Sequence, residues 1–234
     1  MAKGESIVFP ANGSTGSDPK GSTCEGYLAQ PPADRSKGKG VVVIQEWWGL
    51  NDHVEDVADR FAGEGFVALA PDLYHGKVTR SPDEAGKLLM ALDLARAEKD
   101  LRGAVEHVRG LTGRPVGTVG FCMGGALSLF AACTSGEKVG ACVVYYGGHP
   151  KAQYPFDGLR APVLGHWAEK DDFANADVPR IEKELSARGK RYEFHRYPGT
   201  QHAFFNDTRP EVYHREAAEL SWSRTVAFLD QNLQ

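Results

Sequence analysis

Val116-Gly117-Thr118-Val119-Gly120-Phe121-Cys122-Met123-Gly124-Gly125 runs from an apolar, β-favouring stretch through a G-x-C-x-G corner into small residues that continue as a helix to Ala132. Strand, tight turn and helix in that order lift one side chain clear of a sheet, and here Cys stands where the commoner form of this turn has Ser. The glycines have a steric job, because a Cβ on either side of such a corner meets the neighbouring chain. A thiol at the start of a helix faces free N–H groups and the positive end of the helix dipole, which favour the reactive thiolate. Cys122 is the candidate nucleophile.

Outward from this turn, short apolar runs alternate with amphipathic ones. Val41-Val42-Val43-Ile44 is unalternated and β-branched, as a strand buried on both faces is. Asp52 with Glu55 reads as a capping box, Val54, Val57, Ala58 and Phe61 share a helical face, and Gly65 supplies the stop. Phe66 to Ala70 predicts the next strand. Ser81-Pro82-Asp83-Glu84 starts a helix, and the stripe Leu101, Ala104, Val105, Val108 carries helix to Gly110. Val139 to Tyr146 and Pro162 to Trp167 predict two more strands, and Asp177 to Arg188 a helix capped by Asp177. Tyr192 to Tyr197 is a last strand before a Pro198-Gly199 turn, and Ala217 to Leu229 closes the chain as a helix resting on Ala218, Trp222 and Leu229. The first 39 residues, rich in Gly, Ser and Pro, predict only an edge strand or hairpin around Ile7–Phe9 and Glu25–Leu28.

Strands alternating with helices predict an α/β fold with a mostly parallel central sheet covered on both faces, since parallel neighbours need a crossover that must lie on a face. The length of 234 residues fits one such domain. Lys and Arg number 27 against 31 Asp and Glu, a formal net charge of −4, which excludes a polyanion binder driven by bulk charge, so no nucleic-acid partner is expected. No stretch approaches the roughly 20 apolar residues of a membrane helix, and the N-terminus lacks the pattern of a secretory signal, so a cytoplasmic monomer or weak homo-oligomer is expected. Cys24, Cys122, Cys133 and Cys142 form no C-x-x-C, which argues against a metal knuckle or a disulfide framework. Cys133 and Cys142 fall in apolar runs and read as core, whereas Cys24 lies in a polar segment and reads as incidental. His53, His75, His107, His149, His166, His195 and His214 show no metal spacing, and neither metal nor cofactor is expected.

In open α/β sheets ligands collect beyond the carboxyl ends of the strands, so the partners of Cys122 are sought there. Asp171 follows one apolar strand and His202 the next, in the order nucleophile, acid, histidine used by hydrolases with this turn. His202 would relay the proton and Asp171 would hold its tautomer, with Asp172 as the rival acid. At the end of the first strong strand, Glu46-Trp47-Trp48-Gly49 brings a carboxylate and two indoles to the same rim. The backbone N–H groups of Trp47 and Met123 are the expected oxyanion donors, one following the nucleophile and one from this earlier loop.

Gln45-Glu46-Trp47-Trp48-Gly49-Leu50-Asn51, Pro71-Asp72-Leu73-Tyr74, Gly120 to Gly125, Tyr145-Tyr146-Gly147, Lys170-Asp171 and His202-Ala203-Phe204 together resemble the dienelactone hydrolase (carboxymethylenebutenolidase) family over about residues 40 to 230. The resemblance implies an α/β-hydrolase fold and a triad of Cys122, His202 and Asp171. It also implies that Glu46 contacts the resting thiol and takes its proton when substrate arrives. Members that hydrolyse dienelactone use two arginines for the substrate carboxylate. Arg80 is the candidate for the first role, but Asn206 stands at the second, and an amide lacks the charge and paired donors of a guanidinium. Arg209 is the nearby candidate to compensate, and Trp48, Tyr145, Phe204 and Asn206 are expected to line the substrate pocket.

A thiolate leaves a tetrahedral intermediate more readily than an alkoxide, so enol esters, lactones and aryl esters suit a Cys nucleophile best. The expected function is hydrolysis of such small-molecule esters or lactones through a thioacyl-enzyme. A broad carboxylesterase or thioesterase, a non-catalytic binding protein on the same fold, and a thiol redox sensor are the alternatives.

Overall fold

The β-branched run at 41–44 lies at the centre of the molecule because it has no polar face to give to water. A computed structural model of the chain describes residues 3–11 and 22–234. In chain order the elements are β1 (Glu5–Pro10), β2 (Thr23–Ala29), β3 (Lys39–Ile44), α1 (Asp52–Gly63), β4 (Phe66–Pro71), α2 (Pro82–Ala91), α3 (Leu94–Thr112), β5 (Val116–Phe121) and α4 (Met123–Ser135). They continue with β6 (Val139–Tyr145), β7 (Val163–Lys170), α5 (Asp172–Asn175), α6 (Val178–Ala187), β8 (Tyr192–Gln201) and α7 (Arg215–Asn232). The strands form one sheet in the order β1-β2-β4-β3-β5-β6-β7-β8. Pairing is parallel from β4 to β8 and antiparallel from β1 through β2 to β4, which is the expected edge hairpin. This is the α/β architecture that the alternation predicts.

Side-chain alternation sorts the helices onto two faces. Gly40 on β3 leaves room for Val108 of α3, and Thr118 on β5 bonds Ser128 of α4, so α3 and α4 share one face. Gly117 on β5 is filled by Leu229 of α7, and Phe61 of α1 meets Trp222 of α7 with ring centroids 4.4 Å apart on the other. Among the described residues no helix is long and apolar enough to cross a membrane.

Several local expectations change. The cap of α1 is Asn51, not Asp52: Asn51 has the extended backbone a cap requires, and its Oδ1 accepts from Val54 N at 3.2 Å. Ser81 caps α2 as expected, and the Glu84 side chain accepts from Lys87. The stripe through Leu101 belongs to a separate helix, because Asp93 accepts from Ala95 N and Arg96 N and starts α3 anew; its stop is Gly113 at φ 70°, with Gly110 inside the helix. Asp177 sits at the start of α6, but its carboxylate pairs with Arg180 and caps nothing. Pro198-Gly199 continues β8, where an irregularity in the pairing with β7 absorbs them. Cys24 is buried in β2, its thiol directed at the Asp72 carbonyl, and burial pushes the thiol strongly up, so its polar sequence neighbours misled the reading. Cys133 and Cys142 are core, as expected.

Candidate active site

The corner after β5 is closed by backbone. A Cβ on Gly120 would lie 1.8 Å from Gly124 O, and one on Gly124 would lie 2.2 Å from Ile44 O. Cys122 takes φ 54°, ψ −120°, a conformation that L side chains adopt only where their surroundings impose it. Its own N–H bonds Tyr145 O at 3.1 Å and its carbonyl accepts from Gly148 N at 3.2 Å, which pins the corner to the end of β6. The side chain thus sits at the N-terminus of α4, half-buried.

Asp171 leaves the end of β7 and caps α5 with Oδ1, which accepts from Ala174 N at 3.1 Å. The other oxygen is free to meet His202, and Oδ2 accepts from Nδ1 at 2.6 Å. Asp172, the rival acid, is an exposed first residue of α5. On its other side the His202 ring meets the Cys122 thiol. Burial by itself would lower the His202 pKa; the Cys122 and Asp171 charges outweigh it and push the imidazolium up to about 11. Three chain segments remote in sequence, 122, 171 and 202, therefore meet in one chain of polar contacts beyond the strand ends.

Glu46 lies two residues beyond the end of β3 at the same rim and is buried. Its Oε2 accepts from Asn206 Nδ2 at 2.9 Å and its Oε1 from the Tyr146 hydroxyl at 3.4 Å. Among the described residues the backbone N–H groups of Trp47 and of Met123, the latter in the first turn of α4, have no protein acceptor. The Met123 side chain is buried, and its sulfur accepts from the Tyr74 hydroxyl at 3.2 Å.

Beside this group opens a cavity of about 550 Å³ lined by Trp48, His53, Arg80, Asn206, Thr208 and Arg209, among others. Arg209 lies over the Trp48 ring, 5.6 Å from its centroid, and is also held by Glu211. Two expected pocket residues are not there. Tyr145 is fully buried, stacks on Phe121 and bonds Thr225 of α7 at 2.8 Å; Phe204 is fully buried among Tyr146, Tyr197 and Tyr145. Both belong to the core under the site, since Tyr145 is still inside β6 with its side chain on the α7 face.

The residue that reaches the site is the next one. Tyr146 leaves the strand at φ 36°, its ring 5.1 Å from that of His202, with burial and the Glu46 and Cys122 charges raising its hydroxyl well above the ordinary value. The alternation of a strand, carried one residue further, was the signal that could have found it. Tyr74, whose hydroxyl burial and the neighbouring Cys122 also push up, has no such signal. Among the described residues no group of three or more His, Cys, Asp or Glu could hold a metal ion.

Comparison with known proteins gives the family of the chain. The family model for the dienelactone hydrolase family matches residues 24–233. A protein of Aquifex pyrophilus named protein usf is 37% identical over 218 residues, covering 89% of this chain and 93% of the relative. A candidate carboxymethylenebutenolidase of Aquifex aeolicus is 34% identical over 219 residues, covering 89% and 94%. The crystal structure of a candidate dienelactone hydrolase of Klebsiella pneumoniae superposes with a TM-score of 0.81 at 27% identity, covering 97% of this chain and 99% of that one. With its α/β-hydrolase sheet, its cysteine at the strand-to-helix corner and this match over most of its length, the chain belongs to the dienelactone hydrolase family.

Proposed function

We propose that this protein hydrolyses activated esters or lactones through a thioacyl-enzyme on Cys122. The observation that carries the reading is the continuous contact from Asp171 through His202 to Cys122, with the sulfur held at a strained corner facing a helix N-terminus. The sulfur attacks the acyl carbon, forming an S–C bond as the carbonyl π-electrons move to oxygen. The N–H groups of Trp47 and Met123 receive that oxyanion. Collapse breaks the C–O bond of the ester, and the imidazolium of His202 gives its Nε2 proton to the departing oxygen. Water then attacks the thioester, His202 takes its proton, and the thiolate departs as the better leaving group. Asp171 keeps the Nδ1 proton in place throughout.

The leaving-group order gives the substrate class. A thiolate is expelled ahead of a plain alkoxide, so enol esters, aryl esters and lactones with stabilised leaving oxygens are the suitable small molecules. The relatives named as carboxymethylenebutenolidases fit this class. Arg80 and Arg209 line the adjoining cavity together with Asp52, and Arg209 is already paired with Glu211, so Arg80 is the arginine there left to meet an acidic acyl group, while Asn206 has its amide nitrogen committed to Glu46.

Mass spectrometry of protein quenched during turnover of an enol lactone or p-nitrophenyl ester should show one acyl adduct on Cys122. Cys122→Ala should lose at least about 10³-fold in kcat with its melting temperature kept. An adduct elsewhere, or turnover retained by the Ala variant, removes the reading.

A further inference from the structure

The segment between β4 and α2, residues 72–81, has no regular structure, so its backbone groups take partners from neighbouring parts of the chain. Leu73 N donates to Gln45 Oε1 at 3.1 Å and Thr79 N to Trp48 O at 3.0 Å. A Cβ on Gly49 would fall 2.3 Å from Lys77 O, so the segment lies in direct contact with the residues that flank Trp47. At a second place the Tyr74 hydroxyl donates to Met123 Sδ at 3.2 Å, with both residues buried. A single loop thus braces Trp47 and Met123, the two proposed oxyanion donors.

The loop is itself anchored. Asp72 Oδ1 accepts from Tyr74 N at 3.0 Å and Oδ2 from Gly76 N. His75 takes φ 51° and Gly76 φ 90°, and only the glycine adopts that region without steric cost, so the surroundings of His75 impose its conformation. Its Nε2 lies 3.1 Å from Oδ2 of Asp100, a fully buried residue of α3 whose oxygens have no other partner among the described residues. A carboxyl group at that depth needs a polar partner. Across the ring Arg96 Nη2 lies 3.4 Å from Nδ1. A guanidinium only donates, so Nδ1 accepts and the ring proton stands on Nε2, toward Asp100.

We infer that His75 and Asp100 are positioning residues for the oxyanion hole: their contact anchors the 72–81 loop to α3, and the loop sets where the Trp47 and Met123 N–H groups stand. The inference rests on the reading that Cys122 attacks the acyl carbon and that these N–H groups receive its oxygen. No proton or bond passes through the pair. Negative charge on that oxygen develops only in the transition state, so a displaced donor costs the transition state more than the bound ester. Loosening the anchor should therefore weaken whatever carries an oxyanion and leave ground-state binding nearly untouched.

The test compares three quantities in wild type and His75→Ala: kcat/KM for a p-nitrophenyl ester, the Ki of a trifluoromethyl ketone with the same acyl chain, and the Ki of the matching unreactive carboxamide. The ketone adds the Cys122 sulfur to its carbonyl carbon, and the π-electrons pass to an oxyanion in the same hole. His75→Ala should lower kcat/KM and raise the ketone Ki, each by about 10-fold, with the carboxamide Ki moving less than about 2-fold. His75→Gln, whose amide can still donate to Asp100, should recover most of both losses. Should His75→Ala fold poorly because it strands the buried carboxyl group, Asp100→Leu removes that group together with the anchor and should give the same pattern. The double variant should be no worse than the poorer single one, since the two residues act as a unit. A fall in kcat/KM with the ketone Ki unmoved overturns the inference, because a smaller folded fraction gives that result. Equal weakening of ketone and carboxamide overturns it as well. Cys122→Ala separates the two levels: retained turnover removes the nucleophile itself, whereas an inactive Cys122→Ala beside unmoved ketone binding in His75→Ala removes only this inference.

Discussion

Asp171 has two duties that its two oxygens divide. Oδ1 caps α5 and Oδ2 holds His202 at 2.6 Å, so the cap fixes the carboxylate that fixes the imidazole. Asp171→Asn keeps an oxygen for the Ala174 N–H but turns an NH₂ toward Nδ1, which then cannot carry its proton there. The expected result is a loss of about 10³–10⁴-fold in kcat with little change in melting temperature, read by steady-state kinetics and thermal unfolding side by side. At this scale the sequence order pointed to Asp171 and His202, whose side chains the structure brings to 2.6 Å of each other. It could not say that Tyr146, and not Tyr145, faces the site. That depends on the residue at which β6 ends and the backbone turns to φ 36°.

At the scale of elements, the β5–α4 corner depends on backbone contact more than on side-chain packing. Gly124 sits against the end of β3, where an added methyl group would fall 2.2 Å from Ile44 O and 2.5 Å from Gln45 O, with no flexible side chain to give way. Gly124→Ala should therefore destabilise the fold by more than about 3 kcal/mol, measured as a fall in the urea midpoint, because strand β3 or the start of α4 has to shift. Both glycines of this corner were readable from the G-x-C-x-G pattern alone. Helix boundaries were less so. Asn51 and Asp52 are both good caps, and the choice between them lies in which residue is extended; the break at Asp93 is invisible in the hydrophobic stripe because α2 and α3 both turn apolar residues inward.

Across the whole molecule, a buried polar relay ties the sheet to α7. His166 of β7 is fully buried, with Nδ1 2.8 Å from the Tyr197 hydroxyl of β8 and Nε2 3.0 Å from Thr225 Oγ1 of α7, which in turn bonds Tyr145 of β6. Burial first, then the His195 and Arg224 charges, hold its pKa well below 6.5 in the folded chain. The unfolded chain takes up that proton more readily, so this contribution to stability is intact above pH 6.5 and is lost as pH falls, by up to about 1.4 kcal/mol per unit. His202 acts in the opposite sense: its raised pKa gives stability that is complete below 6.5 and declines as pH rises through about 11. Urea midpoints of wild type and His166→Gln at pH 7 and pH 5 should differ in slope, with the variant the less acid-sensitive; equal slopes would discount the relay. The alternating runs determined the parallel sheet, its helical covers and the rim where chemistry collects, because period and β-branching act within a few neighbouring residues. Only the tertiary structure decided that Cys24 is buried, that Tyr145 and Phe204 are core, and that Asn206 serves Glu46, since each depends on residues distant in sequence that are brought into contact only when the sheet closes.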